Sequence, residues 1–328
     1  MSDKLPLIIL TGPTAVGKTG LSIQLAKMIG GEIISADSMQ VYKGMDIGTA
    51  KITDDEMQGV THHLIDCIDP SDEFNVVIFQ QMAKKAMTEI YKKGKIPIIV
   101  GGTGFYIQAI LYDIDFNSDS DSGENECTDK TYRTMLYKLA NEKGNSYVHD
   151  MLKKVDAKSA ELIHENNLKR VVRALEYYNE TGCPISAHNE SQSSKESPYN
   201  FLYFVLNDER DTLYKRIDQR VDEMFDKGLL KEMENLINQG ISKSMTSMQG
   251  IGYKELFGYF ENEYDLERTK YLVKLDTRHF AKRQITWFKR EKNVIWLNYP
   301  EFDNSKEKIL DFMIKTINNS CLLYTSQS

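Results

Sequence analysis

The sequence predicts an α/β fold in which a parallel sheet is flanked by helices and interrupted by a helical insertion. Short apolar runs alternate with helical patterns over the first hundred residues, and a glycine-rich turn joins the first run to the first helix. Continuous apolar strands of this kind are typical of parallel sheets that helices cover on both faces. Polar and helical segments then separate these strands from a later apolar run.

Three strands and two helices are predicted before the insertion. Leu7 to Leu10 is a continuous apolar run, and apolar residues recur at helical spacing from Thr19 to Ile29. Glu32 to Ser35 predicts the second strand. A helical pattern from Asn75 to Lys92 stops at a Lys-Lys-Gly signal, and Ile96 to Val100 predicts the third strand.

The insertion is predicted to span residues 113–199. It opens with an acidic, polar loop at 117–129 and closes with a turn-rich segment at 179–200. Between them lie helical patterns at 132–143, 147–154 and 157–178. Phe201 to Leu206 predicts that the sheet then resumes, and Asn293 to Leu297 predicts one further strand. We therefore assign residues 1–112 and 200–320 to the sheet domain with its C-terminal helices.

Composition and charge exclude several classes of protein. The 328 residues include 41 Lys and Arg against 48 Asp and Glu, so the formal net charge is −7. This balance excludes a uniformly basic nucleic-acid binder but permits a local basic face. No apolar run approaches the length of a membrane span. The widely spaced cysteines form no disulfide or zinc motif and fit a reducing cytosol: Cys67, Cys127, Cys183 and Cys321. We expect a cytoplasmic monomer that does not contact a membrane.

A phosphate-binding motif lies between the first strand and the first helix. Its pattern is G-x-x-x-x-G-K-[ST], and its residues are Gly12, Pro13, Thr14, Ala15, Val16, Gly17, Lys18 and Thr19. Backbone N–H groups in such a loop form an anion nest, and the helix N-terminus adds its dipole. Lys18 offers a point charge to phosphate oxygens, and the Thr19 hydroxyl can ligate Mg²⁺. The motif predicts a bound diphosphate or triphosphate without saying which.

Polar residues follow the second and third strands, where an open α/β sheet binds its ligands. Asp37 follows the second strand. From position alone it is a general base, a holder of a Mg²⁺-coordinating water, or an ordinary loop carboxylate. Thr103 follows the third strand within Gly101-Gly102-Thr103-Gly104. That segment either lines the same rim or forms a tight turn.

Seven blocks of sequence resemble the tRNA dimethylallyltransferase family, also called the IPP transferase family. They are GPTAVGKT, ISADSMQVYKGMDIGTAK, GVTHHLID, IIVGGTGFYI, LKRVVRALE, QGIGYKE and KRQITWFKR, in family order from Leu7 to Leu297. The resemblance implies a P-loop NTPase-like core with a helical insert that grips the anticodon stem-loop. It implies transfer of a dimethylallyl group from dimethylallyl diphosphate to N6 of the adenine 3′-adjacent to the tRNA anticodon. Diphosphate would be released, with Mg²⁺ as cofactor.

The resemblance implies catalytic roles for three residues. Asp37 matches the general base that accepts the N6 proton, and Arg220 matches an arginine that contacts the diphosphate. Thr19 would hold Mg²⁺. Arg216 lies one helical turn from Arg220 and is kept as its substitute. The alternative is a solvated helix face, in which these arginines pair with nearby acids, Asp218, Asp222 and Glu223.

Ten residues are expected to contact tRNA by the same resemblance. They are Asp37, Ser38, Met39, Gln40, Thr103, Arg133, Lys169, Arg170, Arg173 and Arg283. The three basic residues at 169–173 have a structural alternative, a surface helix paired with Glu165 and Glu176. Residues 266–292 carry nine basic and three acidic side chains with Trp287 and Phe288 interleaved, which favours a nucleic-acid surface. We expect the aromatic rings to face the core.

Three other functions are compatible with parts of the sequence. A small-molecule kinase would use the loop for ATP, and an adenylate isopentenyltransferase would act on free nucleotides. A catalytically silent RNA-binding module would need neither Asp37 nor the loop. The DSMQVY block, the insertion and the basic segment favour tRNA. His62 and His63 invite a metal site, but with no third ligand we expect a structural role.

Residues 321–328 are predicted to be an artefactual tail. The string Cys-Leu-Leu-Tyr-Thr-Ser follows a complete helix pattern and belongs to none of the family blocks. It matches a translation of a common sequencing adapter. We therefore expect the natural chain to end near residue 320.

Overall fold

The computed structural model describes residues 4–116, 130–193 and 195–320. The chain divides into two compact units. The first combines the residues up to Leu111 with those from Pro198, and the second spans Tyr112–Ser197. The acidic loop predicted at 117–129, the tail predicted at 321–328, and Cys127 and Cys321 lie outside the described residues.

The first unit is built on a parallel sheet, which confirms the predicted fold class. Within the described residues its strands are β1 (Leu5–Thr11), β2 (Glu32–Ala36), β3 (His62–His63), β4 (Pro97–Gly101), β5 (Tyr199–Asn207) and β6 (Val294–Asn298). The order is β3-β2-β4-β1-β5-β6. Leu10 of β1 aligns with Val100 of β4 on one side and Phe204 of β5 on the other. The two-residue strand β3 was not predicted.

Four helices of the first unit precede the insertion. They are α1 (Lys18–Ile29), α2 (Asp54–Met57), α3 (Val76–Lys92) and α4 (Gly104–Leu111). Helix α3 begins at Val76 because the side chain of Asn75 accepts hydrogen bonds from the N–H groups of Val77 and Ile78, both at 3.0 Å. Helix α1 begins directly at the end of the phosphate-binding motif, as predicted.

The second unit consists of helices α5 (Lys130–Lys143), α6 (Asn145–Val155), α7 (Ala157–Leu162), α8 (Leu168–Thr181) and α9 (Ile185–Ser193). It has its own apolar core, which includes Leu136, Leu152 and Val171. The pattern at 157–178 is two helices rather than one, and α9 lies in the segment predicted to be turn-rich.

A buried carboxylate caps α7 and holds the first turn of α9. Asp156 accepts hydrogen bonds from the N–H and hydroxyl of Ser159, which caps α7. It also accepts from the N–H and hydroxyl of Ser186, at 2.9 and 2.6 Å, in the first turn of α9. Capping by a residue thirty positions away leaves no periodic signal in the sequence.

The first unit is completed by α10 (Arg210–Asp226), α11 (Leu229–Asn238), α12 (Tyr253–Phe260), α13 (Leu266–Phe288) and α14 (Lys306–Asn319). Helices α1 and α14 share one core cluster with the sheet, in which Leu25, Leu10 and Met313 are fully buried. Across the described part of the chain, no helix has the length and apolar content needed to cross a bilayer.

Candidate active site

The phosphate-binding loop follows β1 at the carboxyl edge of the sheet. Gly12 has φ +149°, and a Cβ there would lie 2.2 Å from the backbone oxygen of Leu206, so only glycine fits. The Lys18 ammonium folds back over the loop and donates to the backbone oxygens of Gly12, at 2.9 Å, and Pro13, at 2.8 Å. The loop therefore adopts the curled form in which backbone N–H groups can hold an anion.

Two positive charges meet at this loop. Burial and the charge of Arg220 together lower the pKa of Lys18 to about 7, against the opposing effect of Asp37. Burial also lowers the pKa of Arg220, again against the opposing effect of Asp37. Both cations are therefore poorly solvated, and a bound anion would stabilise their charged forms.

A cavity of about 490 Å³ opens beside the loop. Its wall brings together residues from five parts of the sequence that were predicted to form the site: Thr14, Ala15, Asp37, Ser38, Met39, Thr103, Arg220 and Arg283. Phe74 and Tyr106 add aromatic surface. The cavity thus combines a phosphate-binding end, a carboxylate and an apolar wall.

Asp37 is oriented by the backbone that follows it. Its Oδ1 accepts hydrogen bonds from the N–H groups of Met39, at 2.9 Å, and Gln40, at 3.3 Å. The side chain of Gln40 is not on the cavity wall, because its amide nitrogen donates to the backbone oxygens of Thr49 and Ala50. Gln40 therefore braces a neighbouring loop in this structure.

Sequence reasoning missed Gln284, which joins two of the predicted loops. It lies on α13, is 5% exposed, and accepts a hydrogen bond from the Thr14 N–H at 2.9 Å. Its amide nitrogen donates to the backbone oxygen of Gly102 at 3.0 Å. The available signal was its place in the block KRQITWFKR, among basic residues that drew attention to charge instead.

The two candidate arginines of α10 occupy different surroundings. Arg220 lines the cavity, whereas Arg216 forms an ion pair with Asp208 at 2.7 Å and lies over the ring of Tyr299. Two of the three acids that the sequence offered as partners pair with α13 instead, Asp218 with Arg278 and Asp222 with Lys274, and Glu223 accepts a hydrogen bond from Gln219. Lys274 and Arg278 of the basic segment thus link α13 to α10.

The remaining cations of the basic segment differ in their surroundings. Arg283 is exposed, lines the cavity and lies over the ring of Phe280. Phe288 is fully buried, and Trp287 packs against Gly104. The exposed cations at the end of α13 and just beyond it are Lys282, Lys289, Arg290 and Lys292.

In the second unit, the predicted tRNA-contacting residues divide into two groups. Arg133 of α5 donates twice to Glu176 of α8, at 2.6 and 2.8 Å. These bonds raise the pKa of Arg133. On α8, Lys169 and Arg170 are exposed and have no ion pair with any residue that the structure describes, and Arg173 is half-buried.

The paired histidines take structural positions. His63 Nε2 lies 2.8 Å from the Glu32 carboxylate, and His62 Nδ1 lies 2.8 Å from the Val60 oxygen. Among the described residues, no group of three or more His, Cys, Asp or Glu side chains could hold a metal ion. The side chain of Thr19 is exposed beside the phosphate-binding loop.

The parallel sheet and the loop after its first strand define an α/β protein of the P-loop NTPase-like class.

Comparison with known families gives a more specific assignment. The family model described as IPP transferase matches residues 40–291. The chain is 60% identical over 312 residues to tRNA dimethylallyltransferase of Lachnoclostridium phytofermentans, covering 95% of this chain and 97% of the relative. It is 48% identical over 304 residues to tRNA dimethylallyltransferase of Acetivibrio thermocellus, covering 93% and 95%. The chain belongs to the IPP transferase family.

Solved structures that resemble this chain also belong to enzymes that prenylate tRNA. The full-length tRNA isopentenylpyrophosphate transferase of Bacillus halodurans has a TM-score of 0.71 and 42% identity, covering 98% of this chain and 99% of that one. A eukaryotic dimethylallyltransferase acting on tRNA has a TM-score of 0.79 and 29% identity, covering 96% and 80%. The fold is therefore shared with family members that differ widely in sequence.

Proposed function

We propose that this protein transfers a dimethylallyl group from dimethylallyl diphosphate to N6 of the adenine 3′-adjacent to the tRNA anticodon and releases diphosphate. Its relatives carry the name tRNA dimethylallyltransferase. The observation that carries the proposal is the single cavity in which Asp37 and Arg220 lie beside the phosphate-binding loop.

The diphosphate end of the substrate binds at the loop. Backbone N–H groups, Lys18 and Arg220 supply positive charge where the leaving diphosphate gains negative charge. Donors that are already in place need no reorganisation during the reaction, so they lower its barrier. The apolar wall at Phe74 and Tyr106 suits the dimethylallyl tail.

Asp37 acts as the general base. The exocyclic amine of adenine is a weak nucleophile because its lone pair is delocalised into the ring. As the C–N bond forms, the N6 proton passes to the Asp37 carboxylate. Two backbone N–H groups already bind Oδ1, which fixes the orientation of the side chain.

Mg²⁺ is the proposed cofactor, and Thr19 is its protein ligand. Mg²⁺ is commonly held by one or two side chains together with substrate phosphates and waters, so one hydroxyl beside the bound diphosphate would suffice. The side chain of Thr19 is exposed at the phosphate-binding loop. When bound, the ion neutralises charge on the diphosphate.

The tRNA contacts are assigned to both units. Ser38, Met39 and Thr103 line the cavity, where the target adenine would enter after leaving its stack. Arg283 lies at the same cavity. The proposed contacts also include Gln40 in the first unit, and Arg133, Lys169, Arg170 and Arg173 in the helical unit, residues 113–199 of the predicted division.

One assay separates the candidate functions. Purified protein, Mg²⁺ and labelled dimethylallyl diphosphate are incubated with an unmodified anticodon stem-loop, with the same stem-loop carrying guanine for the target adenine, or with AMP. We expect label in the adenine stem-loop alone. Label in AMP but not in RNA would instead establish an adenylate isopentenyltransferase.

The role of Thr19 has its own test. Thr19→Ala removes the proposed ligand, so the Mg²⁺ concentration needed for half-maximal transfer should rise by about tenfold. Ser22→Ala in the same helix is the control, since its hydroxyl bonds the Thr19 backbone oxygen rather than a ligand. A metal titration that Thr19→Ala leaves unchanged would remove Thr19 from the metal site.

A further inference from the structure

One carboxylate outside the predicted site collects four hydrogen bonds. Glu232 lies in the first turn of α11. Its Oε2 accepts from the N–H groups of Asp46, at 2.8 Å, and Ile47, at 2.7 Å. Its Oε1 accepts from the N–H of Gly48, at 3.0 Å, and from the Tyr253 hydroxyl, at 2.6 Å. Three consecutive backbone amides thus converge on one side chain.

Tyr253 and Gly48 complete this arrangement. A Cβ at Gly48 would lie 2.5 Å from the Tyr253 ring, so the backbone approaches the ring as closely as only glycine allows. Tyr253 is fully buried at the start of α12. Burial raises the pKa of Tyr253, and Glu232 raises it further, so the phenol stays protonated and donates. The loop is held from two helices.

The bound loop reaches the cavity. Gly48 and Thr49 are part of its wall. The Gln40 amide donates to the backbone oxygens of Thr49 and Ala50, at 3.2 and 3.4 Å. The N–H of Gln40 is in turn one of the two donors to Asp37. Glu232 is therefore linked to the proposed general base by hydrogen bonds at both ends of the backbone segment 46–50 and by the backbone N–H of Gln40.

We propose that Glu232 is a positioning residue for the acceptor side of the cavity. It fixes residues 46–50, and through Gln40 these residues orient the segment that carries Asp37. None of its bonds involves the phosphate-binding loop. Loss of Glu232 should therefore impair transfer to the nucleobase while leaving diphosphate binding intact. The inference rests on the proposed function, because it assigns the cavity an adenine acceptor.

The test uses the isosteric variant Glu232→Gln in the full chain. It keeps volume and packing but places an amide N–H₂ against backbone donors. We expect kcat for the stem-loop to fall by about 10- to 100-fold, since small misplacements of reacting groups have effects of this size. The dissociation constant for dimethylallyl diphosphate should stay within about twofold. Glu234→Gln is the control, because Glu234 lies on the same helix and its ion pair is with Lys231 rather than with residues 46–48.

A second readout does not depend on activity. Hydrogen exchange, followed by mass spectrometry on peptides that cover residues 43–51, should be faster in Glu232→Gln and unchanged in Glu234→Gln. Tyr253→Phe removes one donor of four and should produce a smaller change of the same kind. Glu232→Asp restores the carboxylate and should recover part of kcat.

The possible outcomes distinguish the positioning role of Glu232 from the proposed function. Unchanged exchange and unchanged kcat in Glu232→Gln would overturn the positioning role. Equal losses of diphosphate binding and turnover would overturn it as well, because they indicate a general structural defect. Failure of the unaltered protein to modify the stem-loop would overturn the proposed function alone, and exchange would still decide whether Glu232 holds the loop.

Discussion

The two ends of β2 carry acids whose neighbouring cations differ in burial. At the first residue of the strand, the Glu32 carboxylate lies within 3 Å of His63, Lys93 and Lys95. Burial of Glu32 opposes its ionisation, but the hydrogen bonds from these three side chains outweigh it and lower the pKa to about 2. At this end of the strand, the charge of Glu32 is therefore paired with lysines of the same chain.

At the other end the cations are the buried groups. Asp37, one residue beyond β2, shares its surroundings with Lys18 and Arg220, whose pKa values are lowered by burial. Water screens the nearly half-exposed Lys93 and Lys95, whereas burial removes this screening from Lys18 and Arg220. The cations bonded to Glu32 therefore serve folding, whereas the buried cations at the cavity are available for an anionic substrate.

The largest effect is expected from removing the acid at the cavity end. Asp37→Asn keeps the shape but cannot accept a proton, so turnover should fall by about 10²- to 10⁴-fold. Calorimetry should show that dimethylallyl diphosphate still binds, and a single-turnover assay with the stem-loop measures the loss. Near-normal turnover would remove Asp37 as the base.

The next effect compares the two arginines of α10. Arg220→Ala should lower kcat by about 10²- to 10³-fold, because it removes a charge from the leaving-group end of the cavity. Arg216→Ala, which loses the ion pair with Asp208, should change kcat much less. Steady-state kinetics of both variants measure the difference. The reverse ranking would make Arg216 the diphosphate arginine.

The pH dependence of binding sharpens the comparison further. Burial and Arg220 lower the pKa of Lys18 to about 7 in the free protein, so its charged form predominates below that pH. A bound diphosphate favours the charged form, so binding above pH 7 must take up a proton. The dissociation constant should then rise by about tenfold per pH unit above 7.

Titration in buffers of different ionisation enthalpy measures this proton uptake directly. Lys18→Arg serves as the control, since a guanidinium stays charged throughout this range. Its binding should show no rise above pH 7. An equally steep rise in that variant would place the titrating group elsewhere in the site.

The smallest effect on activity belongs to the other end of β2. Because the folded pKa of Glu32 is depressed, its stabilisation is present above the unfolded pKa and is lost as pH falls from about 4.5 to about 2. Glu32→Gln should lower the free energy of unfolding by about 2 kcal/mol at pH 7. This is less than the shift alone implies, because Lys93 and Lys95 are nearly half exposed.

Urea unfolding at pH 7 and at pH 2 measures the prediction for Glu32. The variant and the parent should differ at pH 7 and converge near pH 2, while transfer activity at pH 7 stays unchanged. A difference that persists at pH 2 would mean that packing, not charge, accounts for the stabilisation.

Local patterns predicted the sheet and the phosphate-binding loop. Strands such as Leu5–Thr11 are buried on both faces, so apolar continuity marks them, and the loop has a fixed spacing that its geometry imposes. Strand β3 has only two residues, too few for any periodicity. Helix α9 is polar, and the carboxylate that binds its first turn belongs to Asp156, thirty positions earlier in the sequence.

Local patterns could not predict the residues that hold the loops of the site in place. Gln284 bonds Thr14 across 270 positions, and Glu232 bonds Asp46 across 186. A glutamine in a basic helix and a glutamate in an ordinary amphipathic helix carry no local sign of these partners. The family resemblance supplied Asp37 and Arg220, which spacing alone left among several alternatives.

The strand order has a consequence for protein synthesis. β1 is central, and its neighbour β5 begins at Tyr199. When a ribosome has translated the chain as far as residue 198, the phosphate-binding motif is complete, yet one edge of β1 has no partner strand. Such an edge is a template for pairing with other chains. The long interval before β5 emerges is therefore when the nascent chain most needs protection from aggregation, and a ribosome that stops before Gln284 releases a chain with an unbraced active site.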